Sequence, residues 1–275
     1  MMEEAEQHPI GIFDSGVGGL TVLKALRQEL PGRYFLYVGD TARVPYGRKP
    51  RQMVEQFAAE ITGFLLDKGA DAIVIACNTA SAASLPRLTE QMPVPIWGVV
   101  DPGVSAACKL SRTGHVGVIG TRGTIDSGAY QDRLRARGLK VWAQACPLFV
   151  HLVEEGLADS EEAELLAHHY LDARPPIDAH ILGCTHYPLL ENVIRRVVGD
   201  ETAIVSSAEA VATMVRETLG TAPVAPGHAP GSVTHYVTGD IASYQHTALR
   251  IGGVEGNFIK VDTFAAEAVA HQASR

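Results

Sequence analysis

The sequence predicts an α/β protein of two similar doubly wound domains, with mainly parallel sheets and an interdomain cleft. Three observations carry that prediction. Short apolar runs alternate with segments of helical spacing from end to end, and this βαβα order argues for parallel strands covered by helices. Several runs are apolar at successive positions, as strands buried on both faces must be. Two cysteines, Cys77 and Cys184, sit in near-matching contexts, each just after such a run. That is the edge where open α/β sheets bind ligands.

The elements follow in order. Residues 10–13 read as a first strand, and residues 20–30 as a helix with Leu20, Leu23, Leu26 and Leu30 at helical spacing. Residues 34–38 are a second strand. Residues 52–66 place Met53, Val54, Phe57, Ile61, Phe64 and Leu65 on one helical stripe. Further strands are predicted at 72–76, 96–99, 115–119, 139–143, 179–182 and 203–205. The stretch 221–231 is rich in Pro, Gly and Ala and reads as a loop before a polar-alternating strand at 233–237.

A weak internal repeat runs through this pattern. Cys184 lies 107 positions after Cys77, and the same offset carries Asp14 onto Thr121, each at a strand end. The simplest reading is two related α/β halves; chance recurrence of strand–turn patterns is the alternative. From the residues alone, the segment after about Ala208 is either a third piece or a return to the first half.

Composition narrows the function classes. The chain has 275 residues, 46% of them hydrophobic, enough for a sizeable core. A formal charge of −8 argues against non-specific nucleic-acid binding. No apolar stretch approaches the ~20 residues that span a bilayer. The acidic N-terminus lacks a signal-peptide core, so a soluble cytoplasmic protein is expected. Four cysteines without a C-x-x-C pair support neither a zinc ribbon nor a thioredoxin-type motif, and disulfides are not expected in a reducing cytosol.

The motif Asp14-Ser15-Gly16-Val17-Gly18-Gly19 looks like a dinucleotide fingerprint, but Thr21 stands where its third glycine belongs. Its glycines still let backbone N–H groups approach a small anion, and a tight turn without a ligand is the alternative. The loop 39–47 is polar, with Pro45 and Gly47, and is weak evidence alone. Cys77-Asn78-Thr79 and Cys184-Thr185-His186 are stronger. Free cysteine is usually a small buried hydrophobe, which suits Cys108 and Cys146. At the two strand ends a helix start favours thiolate, and the polar neighbours can hold carboxylate and ammonium groups. His186 can pair with Cys184. Two such thiols suggest an acid or base on each side of a substrate. His168 and His169 lack metal-site spacing and read as a solvated face, so no metal is expected. Glu154 can orient His186, although a carboxylate at a helix end is commonly just surface.

Asp14-Ser15-Gly16-x-Gly18-Gly19, Pro45-Tyr46-Gly47, Cys77-Asn78-Thr79-Ala80 and Gly183-Cys184-Thr185-His186-Tyr187-Pro188 together resemble the glutamate racemases. Gly120-Thr121-x-x-Thr124 and Cys146-Pro147-Leu148-Phe149-Val150 extend the resemblance, which runs from about Ile10 to at least Val261. It implies a cofactor-independent racemase acting on L- and D-glutamate, supplying D-glutamate for peptidoglycan, and usually homodimeric. It implies a first domain of 1–100 plus 209–275 and an inserted second domain of 101–208. Cys77 and Cys184 would be the acid/base pair. Asp14 would assist Cys77, and His186 with Glu154 would assist Cys184. Asp14, Ser15, Tyr46, Gly47, Asn78, Thr79, Thr185 and His186 would bind substrate, with Thr121 and Thr124 as further candidates. His151 stands where this family usually has proline, which could shift the helix start near Glu154. Aspartate racemase is the near competitor, but its second Cys-Thr is followed by glutamate, where this chain has His186. A cysteine hydrolase needs only one of the thiols, and a non-catalytic amino-acid binder needs neither.

Overall fold

The computed structural model describes residues 8–220, 229, 231–251, 255–262 and 264. Residues 1–7 of the acidic N-terminal segment, most of the predicted 221–231 loop and residues 265–275 lie outside the described residues. In chain order the strands are β1 (Ile10–Asp14), β2 (Phe35–Gly39), β3 (Ala72–Ile75), β4 (Ile96–Gly98), β5 (His115–Gly120), β6 (Lys140–Ala145), β7 (Ala179–Gly183), β8 (Ala203–Ser206), β9 (Val233–Val237) and β10 (Asn257–Lys260). The α-helices are α1 (Leu20–Glu29), α2 (Arg51–Asp67), α3 (Asn78–Gln91), α4 (Val100–Leu110), α5 (Arg122–Asp126), α6 (Ala129–Arg135), α7 (Leu148–Glu154), α8 (Glu161–Leu171), α9 (Glu191–Val198), α10 (Ser207–Leu219) and α11 (Ile241–Ile251).

Among the described residues the strands form two sheets, and every pairing is parallel. One sheet has the order β10-β9-β2-β1-β3-β4 and the other β6-β5-β7-β8. The β2-β1-β3-β4 portion repeats as β6-β5-β7-β8, so the 107-residue offset corresponds to one strand order used twice. β1 and β7 are buried at every position, as central strands covered on both faces require.

The helices bury one stripe each. In α2 these are Val54, Ala58, Ile61 and Leu65, spaced three and four apart. The predicted stripe was broader: Met53 is 42% exposed, on the flank of that face. α1 buries Leu20, Leu23 and Leu26. One apolar cluster runs from Ile12 and Leu26 through Val211 to Leu182 and Val193, so the two sheets share a core. α10 packs against both α1 and α4 and carries that core across the join. The chain passes from the first sheet to the second between β4 and β5, by way of α4, and returns between β8 and β9, by way of α10. The carboxyl ends are level: Asp14 pairs with Gly39, and Gly120 with both Ala145 and Gly183. The loops that leave these ends, carrying the glycine motif and both cysteine motifs, therefore converge.

Candidate active site

Cys77 lies two residues beyond β3 and occupies the cap position before α3, in an extended conformation. It is buried, and its sulfur is 3.8 Å from Ser15 Oγ. Burial, then the nearby Asp14 charge, pushes its thiol up to about 12, against the pull of the Ala80 N–H and the Ser15 hydroxyl. The thiolate expected from the helix start is therefore overridden at Cys77: desolvation and a like charge outweigh a partial dipole charge. Asp14 ends β1 with no exposure. It accepts hydrogen bonds from the Gly16 N–H at 2.9 Å and from the Thr185 hydroxyl at 3.4 Å. Burial raises its pKa, and the His186 charge and these bonds oppose that rise.

Cys184 directly follows β7 and is also buried. No α-helix begins there. Pro188 sits in one 3-10 turn, Tyr187–Leu190, and α9 starts only after it. The polar partner is close instead: the Cys184 sulfur is 3.8 Å from His186 Nδ1, and His186 Nε2 is 3.0 Å from Glu154 Oε1. α7 runs without interruption through His151 to Glu154. Burial works against a charged His186, but its bonds and charge interactions with Cys184 and Glu154 outweigh this and raise it to about 10. Burial likewise pushes the Glu154 carboxyl up, and the His186 hydrogen bond and charge bring it below its ordinary value. The turn at Gly18 makes room for this histidine: a Cβ there would lie 2.5 Å from the imidazole and 2.4 Å from Thr185 Oγ1.

Both thiols line one cavity of about 160 Å³ between the ends of the two sheets. Ser15, Tyr46, Gly47, Asn78, Thr79, Thr121, Glu154, Thr185 and His186 complete most of its wall. This is below the ~300–1,000 Å³ of drug-sized pockets and suits a small amino acid. Asp14 and Thr124 stand behind the wall. Thr124 joins Thr79 and Thr121 in a ring of three hydroxyls, with oxygen separations of 2.9, 3.0 and 3.2 Å, that ties α3 to α5. The Tyr46 hydroxyl bonds the buried Asp40 carboxylate, fixing the loop that follows β2. The residue-by-residue prediction omitted Gly16, Val44, Pro45, Val150 and His151, which also touch the cavity. All five lie in or beside motifs already singled out, so adjacency was the available signal.

Other features fall outside this cavity. A larger one, about 520 Å³, lies between α1 and the Pro188–Glu191 segment and contains neither thiol. Cys146 is buried after β6, and the Tyr187 hydroxyl bonds its carbonyl at 2.8 Å. His168 pairs with Asp172 on an exposed face. Among the described residues, no group of three His, Cys, Asp or Glu is placed to hold a metal ion, and no helix is long and apolar enough to cross a membrane.

Residues 11–215, which include both thiols and every residue of the cavity wall, match the family described as Asp/Glu/Hydantoin racemase. The chain belongs to that family. Within it, the glutamate racemase of Thermus thermophilus is 53% identical over 245 residues, covering 89% of this chain and 92% of its own. The crystal structure of a Thermus thermophilus glutamate racemase with β-chloro-D-alanine superposes with a TM-score of 0.85 at 50% identity, covering 93% of this chain and 97% of that one. The Francisella tularensis glutamate racemase, solved with D-glutamate, gives 0.83 at 33% identity over 94% and 98% of the two chains. Two sheets of parallel strands are thus the architecture this chain has in common with solved glutamate racemases.

Proposed function

We propose that this protein interconverts L- and D-glutamate without a cofactor, by proton transfer between Cys77 and Cys184. The observation that carries the proposal is that two buried thiols, one from each sheet, line one small cavity with different proton-handling neighbours. Racemisation requires the α-proton to leave one face of the substrate and another to arrive on the opposite face. In the resting state Cys77 holds its proton. At Cys184 the charged imidazole of His186 is the counter-charge for a thiolate. That thiolate takes the α-proton as the C–H bond breaks, and the electron pair moves toward the α-carboxylate. The Cys77 S–H then protonates the planar carbon from the other side. The reaction ends with a thiolate at Cys77 and a thiol at Cys184, which is the starting state for the other enantiomer. Asp14 assists the Cys77 side, and His186 held by Glu154 assists the Cys184 side.

Ser15, Tyr46, Gly47, Asn78, Thr79, Thr121 and Thr185 hold the substrate's charged groups, with Thr124 supporting them from behind. General acid–base groups contribute about 10²–10⁴-fold each. Positioning and exclusion of water in the buried site supply the remainder. Glutamate is favoured over aspartate by His186 and by the glutamate racemases that align over most of the chain. The division into 1–100 with 209–275, and 101–208, is supported by strand membership, with α10 spanning the border. A cytoplasmic homodimer supplying D-glutamate for peptidoglycan, and so for cell-wall growth and cell shape, completes the proposal.

Circular dichroism of L- and D-glutamate solutions, with no cofactor added, tests it directly. Cys77→Ala and Cys184→Ala each abolish interconversion, and glutamate still binds. Full racemisation by either variant ends the two-thiol mechanism. A hydrolase would survive loss of one thiol, and a binding protein would survive loss of both. In deuterated water the product acquires deuterium at its α-carbon; racemisation without uptake contradicts exchanging thiols.

A further inference from the structure

Asn78 opens α3 and lines the cavity, yet its side chain is held by a residue from the other half of the molecule. Tyr130, on α6, is fully buried and donates its hydroxyl hydrogen to Asn78 Oδ1 at 2.6 Å. Ser207 Oγ lies 3.1 Å from the same phenol oxygen. A phenol has a single hydrogen to donate. With that hydrogen on Asn78, the phenol accepts from Ser207, and the bonds run one way: Ser207 to Tyr130 to Asn78. Burial pushes the phenol's pKa up, so the donor stays neutral at working pH.

The seat of the ring is narrow. A Cβ at Gly183 or at Gly103 would lie 3.3 Å from it. Gly183 is the residue before Cys184, and Asn78 is the residue after Cys77. One phenol therefore fills the space beside the residue leading into one thiol and bonds the side chain following the other.

A carboxamide has an accepting end and a donating end. We infer that Tyr130, set by Ser207, is a positioning residue that turns the Asn78 N–H donors, rather than its carbonyl, toward the substrate carboxylate. A reversed amide would set a carbonyl oxygen against a carboxylate oxygen. In the observed orientation the donors strengthen their bond as charge moves onto the carboxylate when the α-proton leaves. The inference rests on the racemase reading above.

Tyr130→Phe keeps the ring against Gly103 and Gly183 and removes only the hydroxyl. It lowers kcat/KM about tenfold for both enantiomers, the loss of one orienting hydrogen bond. Asn78→Ala removes the group through which Tyr130 acts, so Tyr130→Phe costs nothing further in that background. Ser207→Ala, which leaves the Tyr130–Asn78 bond in place, costs less than Tyr130→Phe. Equal fractional losses in the wild-type and Asn78→Ala backgrounds, or wild-type kcat/KM in Tyr130→Phe, overturn the inference. The same cycle is run on glutamate affinity. A wild-type protein that binds glutamate without racemising it overturns the racemase reading, and the affinity cycle then decides the role of Tyr130 on its own.

Discussion

Gly18→Ala sets two effects of opposite sign against each other. Gly18 is not among the glycines with positive φ, so its backbone accepts alanine. On that ground alone the substitution stabilises by about 0.4–1 kcal/mol through the unfolded chain. The folded site forbids it: the new Cβ would lie 2.4 Å from Thr185 Oγ1 and 2.5 Å from the His186 ring. Carbon contacts relax at about 3.5–4.0 Å, so both side chains must retreat by about 1 Å. Neither is free to do so. His186 is held by Glu154 at 3.0 Å, and the Thr185 carbonyl accepts from the Thr21 hydroxyl at 3.0 Å. Overpacking of this kind costs about 1–3 kcal/mol, which outweighs the gain. We expect a net loss of about 1–2 kcal/mol, or on the order of 5 °C in Tm. A 1 Å displacement of a catalytic group costs about 10²-fold in rate. Thermal melting by circular dichroism and the racemisation assay measure the two effects separately. Gly16→Ala is the stability control, because its Cβ would meet nothing nearer than Val44 at 3.4 Å. A Gly18→Ala protein with wild-type Tm and wild-type kcat/KM would show that the imidazole is not seated on this turn.

Glu154→Gln removes a negative charge that holds the His186 proton, so the imidazole pKa falls from about 10. The alkaline limb of kcat/KM against pH moves to lower pH; an unmoved limb contradicts the pairing. His180 is fully buried, and burial, then the Arg174 charge, lowers its pKa to about 3. Its unfolded value is about 6.5, so its contribution to stability is complete above that pH and is lost as pH falls from 6.5 toward 3. His180→Leu flattens the acid side of the stability profile over that window, as denaturant melts at a series of pH values will show. Thr121→Val removes hydroxyl contacts to Thr79 and Thr124 and the side-chain cap of α5. A loss of about 1 kcal/mol in stability should accompany a several-fold fall in kcat/KM. A variant with unchanged kinetics would remove Thr121 from the substrate wall.

What could be read in the chain depended on how local each cause is. Strand and helix positions in the first half followed from apolar spacing, and β1, β3 and α2 lie within one residue of the reading at either end. Helix α4 was missed, because Pro102 and Gly103 interrupt its pattern and its burial comes from packing against α6, α10 and the second sheet. Strand β10 was missed too: Asn257–Lys260 is short and mostly exposed, and only pairing with β9 makes it a strand. The two thiols were legible because each follows a buried strand within two residues. The protonation of Cys77 was not. The helix start at Cys77 is visible in sequence, but burial and the Asp14 charge that override it come from long-range packing. Tyr130 left no local trace, since its partners Asn78 and Ser207 lie 52 and 77 positions away.

The repeated strand order places two unlike thiols around one cavity, Cys77 beside Ser15 and Asp14, and Cys184 beside His186 and Glu154. Mirror-image substrates have equal free energies in water, so the equilibrium constant between them is one. For a reversible one-substrate reaction, the ratio of the two kcat/KM values must equal that constant. The dissimilar surroundings of the thiols can therefore divide kcat and KM differently for each hand, but never their quotient. A substitution confined to the Cys77 side must slow both directions by the same factor in kcat/KM. Under the proposed two-thiol mechanism, the asymmetry sets which protonation state accumulates during turnover, and it cannot make the catalyst prefer a product.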